Sequence, residues 1–129
     1  MKKEGLLMPN AMEPGRRYQT GKHLEAFILL FIYQQPMHGG AILKRLQDEL
    51  PPVWIIDSGG VYRLLRDLEN QGAVSSSWIT EDQGAPKRFY RITDEGIERL
   101  KQWAAELRVR RNSMDLFLTW WEEANKSEE

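Results

Sequence analysis

Two runs of alternating apolar and polar residues, 73–80 and 87–92, flank Gly84 and Pro86, and this arrangement constrains the fold more than any other feature of the chain. A period of two is the signature of a half-buried strand, and a Gly/Pro interruption between two such runs predicts an antiparallel hairpin. Alternation lets Phe89 or Ile92 face a core while Lys87, Arg88 and Arg91 are left to solvent, where they suit phosphate oxygens. The same residues also describe a solvated basic hairpin that binds nothing. The flanking segments must therefore decide between the two.

Those segments are helical in pattern. Leu24, Phe27, Ile28 and Phe31 recur at helical spacing, Leu30 broadens the stripe, and Pro36 closes it. His38-Gly39-Gly40 makes a turn in which His38 is expected to cap the next helix. That second helix carries Ile42, Leu43, Leu46 and Leu50 inward and Lys44, Arg45 and Gln47 outward, and Pro51-Pro52 stops it. An extended stretch follows, with Trp54 expected in the core. Asp57 or Ser58 then caps a third helix with Val61, Leu64, Leu65 and Leu68 on one face, Arg63, Arg66 and Asn70 on the other, and Gly72 at its end. Two helices joined by a short connection and followed at once by a basic hairpin give the order of a winged helix-turn-helix.

From Thr93 a longer helical pattern runs through Ile97, Leu100, Ala104 and Leu107, pauses at Arg110-Arg111-Asn112, and resumes with Met114, Leu118 and Trp121. Steps of three and four are coiled-coil spacing. A helix this apolar has little core of its own to cover in so small a domain, so Leu100, Leu107, Met114, Phe117, Leu118 and Trp121 are expected to form a dimer contact. The alternative is a helix folded back on its own domain.

The expected class is mainly α with a small β-wing. Its parts are a flexible arm over 1–21, a winged helix-turn-helix domain over 22–93, and a dimerisation helix or helices over 94–125. Composition narrows the functions open to such a chain. Its 129 residues contain no cysteine and two histidines, which excludes thiolate chemistry and zinc-thiolate sites and leaves poor material for any metal. Neither a cofactor nor catalysis is expected, since no nucleophile-base pair or phosphate-cradling glycine loop is present; Glu25, Asp57 and Asp94 read as separate caps and surface acids. The apolar run over 26–33 is too short to span a bilayer, and a cytoplasmic setting fits. With 18 Lys and Arg against 19 Asp and Glu, any polyanion contact must come from local clustering. Acid does gather in the tail, at Glu122, Glu123, Glu128 and Glu129, away from the basic hairpin.

The chain resembles the PadR family of winged-helix transcriptional regulators. The residues that carry the likeness are His38-Gly39; then Gly59 with Tyr62, Leu65, Leu68, Glu69 and Gly72; then Gly84, Pro86, Arg88, Tyr90, Thr93 and Gly96. It covers about residues 24–107, and three motifs fall in family order. Two positions depart: Gly40 stands where an aromatic usually follows His-Gly, and Arg63 where a proline often follows the tyrosine. The resemblance implies a homodimer on a roughly palindromic operator in double-stranded DNA, usually a repressor, released when an effector changes the spacing of its two heads. The short C-terminal segment is similar to the smaller subgroup, some of whose members bind flat aromatic or hydrophobic molecules near the dimer interface.

Particular roles follow. Arg63 and Arg66 are expected to meet guanine edges or adjacent phosphates from a capped recognition helix. Their competing assignment is solvated surface arginine paired to Asp67 or Glu69. Tyr62 can bond a phosphate or brace the helix against the wing, and Gly59 and Gly60 can admit close backbone approach or simply make the turn. Lys87 and Arg88 are assigned to phosphates beside the recognition helix, with Lys44 as a further candidate. Phe27, Phe31, Trp103 and Trp120 are candidates for an effector pocket gathered by two-fold symmetry, although core packing accounts for all four. The opposing functional class is a winged-helix protein-interaction module that does not bind DNA.

Overall fold

The computed structural model describes residues 21–80 and 84–127. The arm over 1–20, the last two glutamates and residues 81–83 lie outside the described residues. In chain order the elements are α1 (Gly21–Gln34), β1 (Met37–His38), α2 (Gly39–Glu49), α3 (Ser58–Asn70), β2 (Val74–Ile79), β3 (Lys87–Ile92) and α4 (Asp94–Ser127). The architecture is mainly helical around a small antiparallel sheet ordered β1-β3-β2.

Helix α1 forms the centre because apolar residues occupy most of its circumference. Ile28, Leu29 and Ile32 are buried there against Ile42 and Leu46 of α2, Val61, Leu65 and Leu68 of α3, and Val74 and Tyr90 of the sheet. Fully burying such side chains stabilises by about 1.5–3 kcal/mol each, so this cluster is what holds the three helices together.

Local chemistry sets the boundaries. His38 is extended, and its Nδ1 accepts from the Ala41 amide at 3.2 Å, capping α2. Leu50 turns extended ahead of Pro51 and ends that helix. Asp57 caps α3, accepting from the Gly60 amide at 2.8 Å. At the other end, Gly72 takes φ 83°, its amide bonds the Glu69 carbonyl, and the Ala73 amide bonds the Leu68 carbonyl. This pair of bonds closes α3 in a Schellman turn and feeds the chain directly into β2.

In the hairpin, Ser76 opposes Tyr90 and Trp78 opposes Arg88. Val74, Ser76 and Trp78 therefore share a face with Ile92, Tyr90 and Arg88, and the inner part of that face is the buried one. Of the two residues offered for the core, Ile92 takes the inner face. Phe89 lies on the other, against the His38 ring at 5.4 Å. Strand β1 was not legible in sequence; its two residues pair with Tyr90 and Phe89 and tie the start of α2 to the wing.

The last helix corrects the sequence reading at one place. No break occurs at Arg110-Arg111-Asn112, and α4 is continuous over 34 residues. The three polar residues interrupt the apolar spacing, but they include neither glycine nor proline, so nothing stops the helix. Its first half lies on α1, with Leu100 and Trp103 packed on the domain's own core. Its second half stands clear: Met114, Phe117, Leu118, Trp120 and Trp121 are all exposed.

Candidate nucleic-acid interface

The exposed side of α3, the start of α2 and the inner overhang of the wing line one groove of about 430 Å³, made by His38, Gly39, Gly40, Tyr62, Trp78, Pro86, Lys87, Arg88 and Tyr90. Each wall follows from the elements above. Residues 62, 66 and 69 fall on the side of α3 turned toward the wing, because they lie three and four apart on a helix whose Val61, Leu65 and Leu68 face inward. Arg63 and Asn70 point further out, and all of Tyr62, Arg63, Arg66 and Asn70 are exposed.

The Tyr62 ring lies over Gly39 of α2 rather than against a wing strand; a Cβ there would come within 2.5 Å of Cε1, so the glycine of the His-Gly turn is what lets α3 and α2 approach. Gly59 and Gly60 stand beside the Asp57 cap and the Arg63 guanidinium. Arg63 lies 3.9 Å from Asp57, a long contact between two well-exposed groups that leaves it available to other partners. Arg66 makes no ion pair with any described residue. The pairings to Asp67 or Glu69 weighed as the competing assignment are not formed.

Wing and helix cations differ in how free they are. Lys87 is exposed and makes no ion pair with a described residue. Arg88 is tied inward: Nε donates to Ser76 Oγ at 2.7 Å, Nη2 approaches Glu69 Oε1 at 3.4 Å, and the guanidinium lies 5.6 Å over the Trp78 ring. Arg91 is exposed on the opposite face. Lys44 is engaged by Asp48 at 2.8 Å, and this hydrogen bond and charge hold its ammonium above the ordinary lysine range. Arg45 stacks 3.9 Å over Phe31 and bonds Glu49 and Gln34, so it is a packing residue rather than a free outward cation.

Tyr90 sits at the floor of the groove, and burial pushes its phenol above the usual tyrosine range, with Arg88 acting against this and Glu69 with it. A phenol whose ionisation is disfavoured in the folded state contributes stability that is complete below its unfolded value of about 10 and lost as pH rises beyond it. Urea unfolding followed between pH 8 and 11 should therefore show a loss of stability above about pH 10 that is smaller in Tyr90→Phe than in the parent. Equal slopes for both would mean that Tyr90 ionises without cost.

The four aromatics considered for an effector are not brought together within one chain. Phe27 packs edge-on against Trp54 at 5.7 Å, but Trp54 is half-buried and lies outside the core cluster in which it was expected; Phe31 lies in the core under Arg45. Trp103 points at α1, where its Nε1 donates to Glu25 Oε2 at 2.7 Å, and Trp120 is far along α4 with 61% of its surface exposed. Glu25 itself is not the surface acid that sequence suggested. It is buried and takes two bonds from Arg99, at 2.6 and 2.8 Å, while Arg99 Nη1 donates to Gln71 Oε1 at the end of α3. Sequence reading also passed over Trp78, 66% exposed on the wing. Its position across from Arg88 in the hairpin was the available signal.

Three helices around a core, the last of them capped and carrying arginines beside a two-stranded wing, define a winged helix-turn-helix protein. Residues 28–102 match the Transcriptional regulator PadR-like family, and the chain belongs to that family, one of transcriptional regulators and not of enzymes. It is similar to a PadR family transcriptional regulator from Eggerthella lenta, with 29% identity, a TM-score of 0.63, and coverage of 78% of this chain and 86% of that one. A conserved protein described as a potential transcriptional factor is similar with 27% identity and a TM-score of 0.75, over 85% of this chain and 96% of that one. A probable transcriptional regulator of Mycobacterium tuberculosis is 28% identical over 79 residues, 61% of this chain, and the matched part spans 42% of that relative's length. No helix among the described residues is long and apolar enough to cross a membrane.

Proposed function

We propose that this regulator binds double-stranded DNA as a homodimer on a roughly palindromic operator and acts in the cytoplasm as a repressor. The observation that carries the reading is the exposed side of α3: Arg63 and Arg66 project from a capped helix whose Tyr62 shares a groove with Lys87 and Arg88 of the wing. A capped helix end offers amides to a phosphate, and exposed arginines can bond guanine O6 and N7 in the major groove. Dimerisation is supported by the distal half of α4, where Met114, Phe117, Leu118, Trp120 and Trp121 are exposed large apolar side chains. Met114, Phe117, Leu118 and Trp121 are the residues assigned to that contact. Leu100 packs on its own domain and Leu107 is half-buried, so both serve the base of the helix first.

An effector fits this reading only as a ligand enclosed by two copies, because Phe27, Phe31, Trp103 and Trp120 are dispersed in one. It would act by favouring one spacing of the heads over another, with its differential affinity supplying the free energy.

Selection of bound sequences from a random duplex pool at near-physiological salt tests the proposal. A two-fold-symmetric site should be recovered, and Arg66→Ala and Arg63→Ala should each relax preference at particular positions at a cost of about 1–3 kcal/mol per lost bidentate contact. Lys87→Ala should instead weaken all sequences alike and lower the salt dependence by about 0.9 in the log-log slope. Recovery of no sequence, with only feeble salt-sensitive binding, would turn the reading toward a protein-interaction module, and acidic partners would be sought by pulldown.

A further inference from the structure

Arg88 lines the groove beside α3, yet its guanidinium is already engaged by the hairpin and by α3. Ser76 Oγ accepts from Arg88 Nε at 2.7 Å and donates to Glu69 Oε2 at 2.7 Å, while Arg88 Nη2 lies 3.4 Å from the other oxygen of the same carboxylate. Glu69 belongs to α3 and is half-buried, with 30% of its side chain exposed, against 47% for Arg88. The acid is thus fixed in place by the helix, whereas the base sits at the end of a longer, more solvated chain. The guanidinium also lies 5.6 Å over the Trp78 ring.

We infer that Glu69 is a positioning residue that competes with DNA phosphate for Arg88, holding back sequence-independent affinity so that discrimination rests on α3. This deepens the operator-binding reading above and depends on it. The physical reason is that phosphate contacts contribute affinity for every sequence equally, while base contacts distinguish sequences. A cation already neutralised by a neighbouring carboxylate gives less to the first kind. A partly exposed pair is weak enough for DNA to contest but strong enough to matter, which on the usual scale for such pairs corresponds to about a two- to five-fold effect on binding.

The test is a cycle of Glu69→Gln, Arg88→Ala and the double variant in the full chain, with affinity measured from low to moderate salt on the selected operator and on unrelated duplex. Glutamine keeps the size of the side chain and an acceptor for Ser76, and equal thermal midpoints would show that the fold is intact. Glu69→Gln should tighten binding to unrelated duplex about two- to five-fold and steepen its log-log salt slope by about 0.9, the release accompanying one added phosphate contact. The ratio of operator to unrelated affinity should fall, and Arg88→Ala should abolish the whole gain. A gain that survives Arg88→Ala is only the removal of a negative charge near DNA and overturns the inference, as does an unchanged slope. If the parent binds no duplex at all, it is the operator-binding reading that fails, and the two failures are thereby distinct.

Discussion

Arg99→Ala should destabilise the folded chain by about 3 kcal/mol, seen as a fall of roughly 10 °C in thermal midpoint. The variant leaves Glu25 buried between α1 and α4 with a single donor, the Trp103 indole, in place of the two guanidinium bonds. Breaking a buried pair costs about 3–5 kcal/mol, because the remaining charge keeps its desolvation penalty after losing its compensation. The low end applies here, since about a third of the Arg99 side chain is in contact with water. The double variant Glu25→Leu, Arg99→Leu should recover most of the loss, because hydrophobic replacement of both partners is often neutral. If Arg99→Ala costs less than about 1 kcal/mol, the pair behaves as an ordinary surface bridge and does not anchor α4.

A comparable loss is expected at Gly96, for a steric reason. An added Cβ would collide with the carbonyl of Ala73 and come within 2.7 Å of Ile92 Cγ1. Alanine there gains about 1 kcal/mol in helix propensity over glycine. Overpacking typically costs about 1–3 kcal/mol, and the collision is with backbone that cannot rotate aside, so the upper end applies and the net loss is about 2 kcal/mol or more. That backbone is also bound: the single Thr93 hydroxyl proton is shared between the carbonyls of Gly72 and Ala73, while Oγ1 accepts from the Gly96 amide at 3.0 Å. Gly96→Ala should lower the urea midpoint and loosen the docking of α4 on the hairpin, which amide hydrogen exchange at residues 94–97 would register. Unchanged protection there would show that the strands shift to make room.

These two sites mark the line between what sequence discloses and what it withholds. The His38 and Asp57 caps, the stops at Pro36 and Pro51, and the hairpin were readable because all of them depend on neighbours in sequence. Thr93 and Gly96 were visible only as residues of the family likeness, since the approach of Gly96 to the Ala73 carbonyl spans 23 positions. Glu25 and Arg99 are 74 positions apart. Nothing local marks either as buried, and an isolated acid on an apolar helix reads as a surface residue. The engaged fork of Arg88 was hidden for the same reason, since Ser76 and Glu69 are twelve and nineteen positions away. Proximity of charge to a groove could be anticipated from composition; which cations are already spoken for could not.

Helix α4 runs 34 residues without interruption, a rod about 51 Å long. Thr93, Gly96 and Arg99 clamp its first turns to the hairpin, to α1 and to the end of α3. Whatever grips the aromatic far end is consequently indexed to the arginines of α3 by rotation as well as by distance. One residue added between Leu107 and Met114 would swing Phe117 and Trp121 by about 100° around the axis while advancing them only about 1.5 Å. Seven added residues would bring them back to within about 20° of their original bearing. The angular register between the two ends is written in a residue count, as in a splined shaft, and it leaves no hinge in which an error of phase could be absorbed.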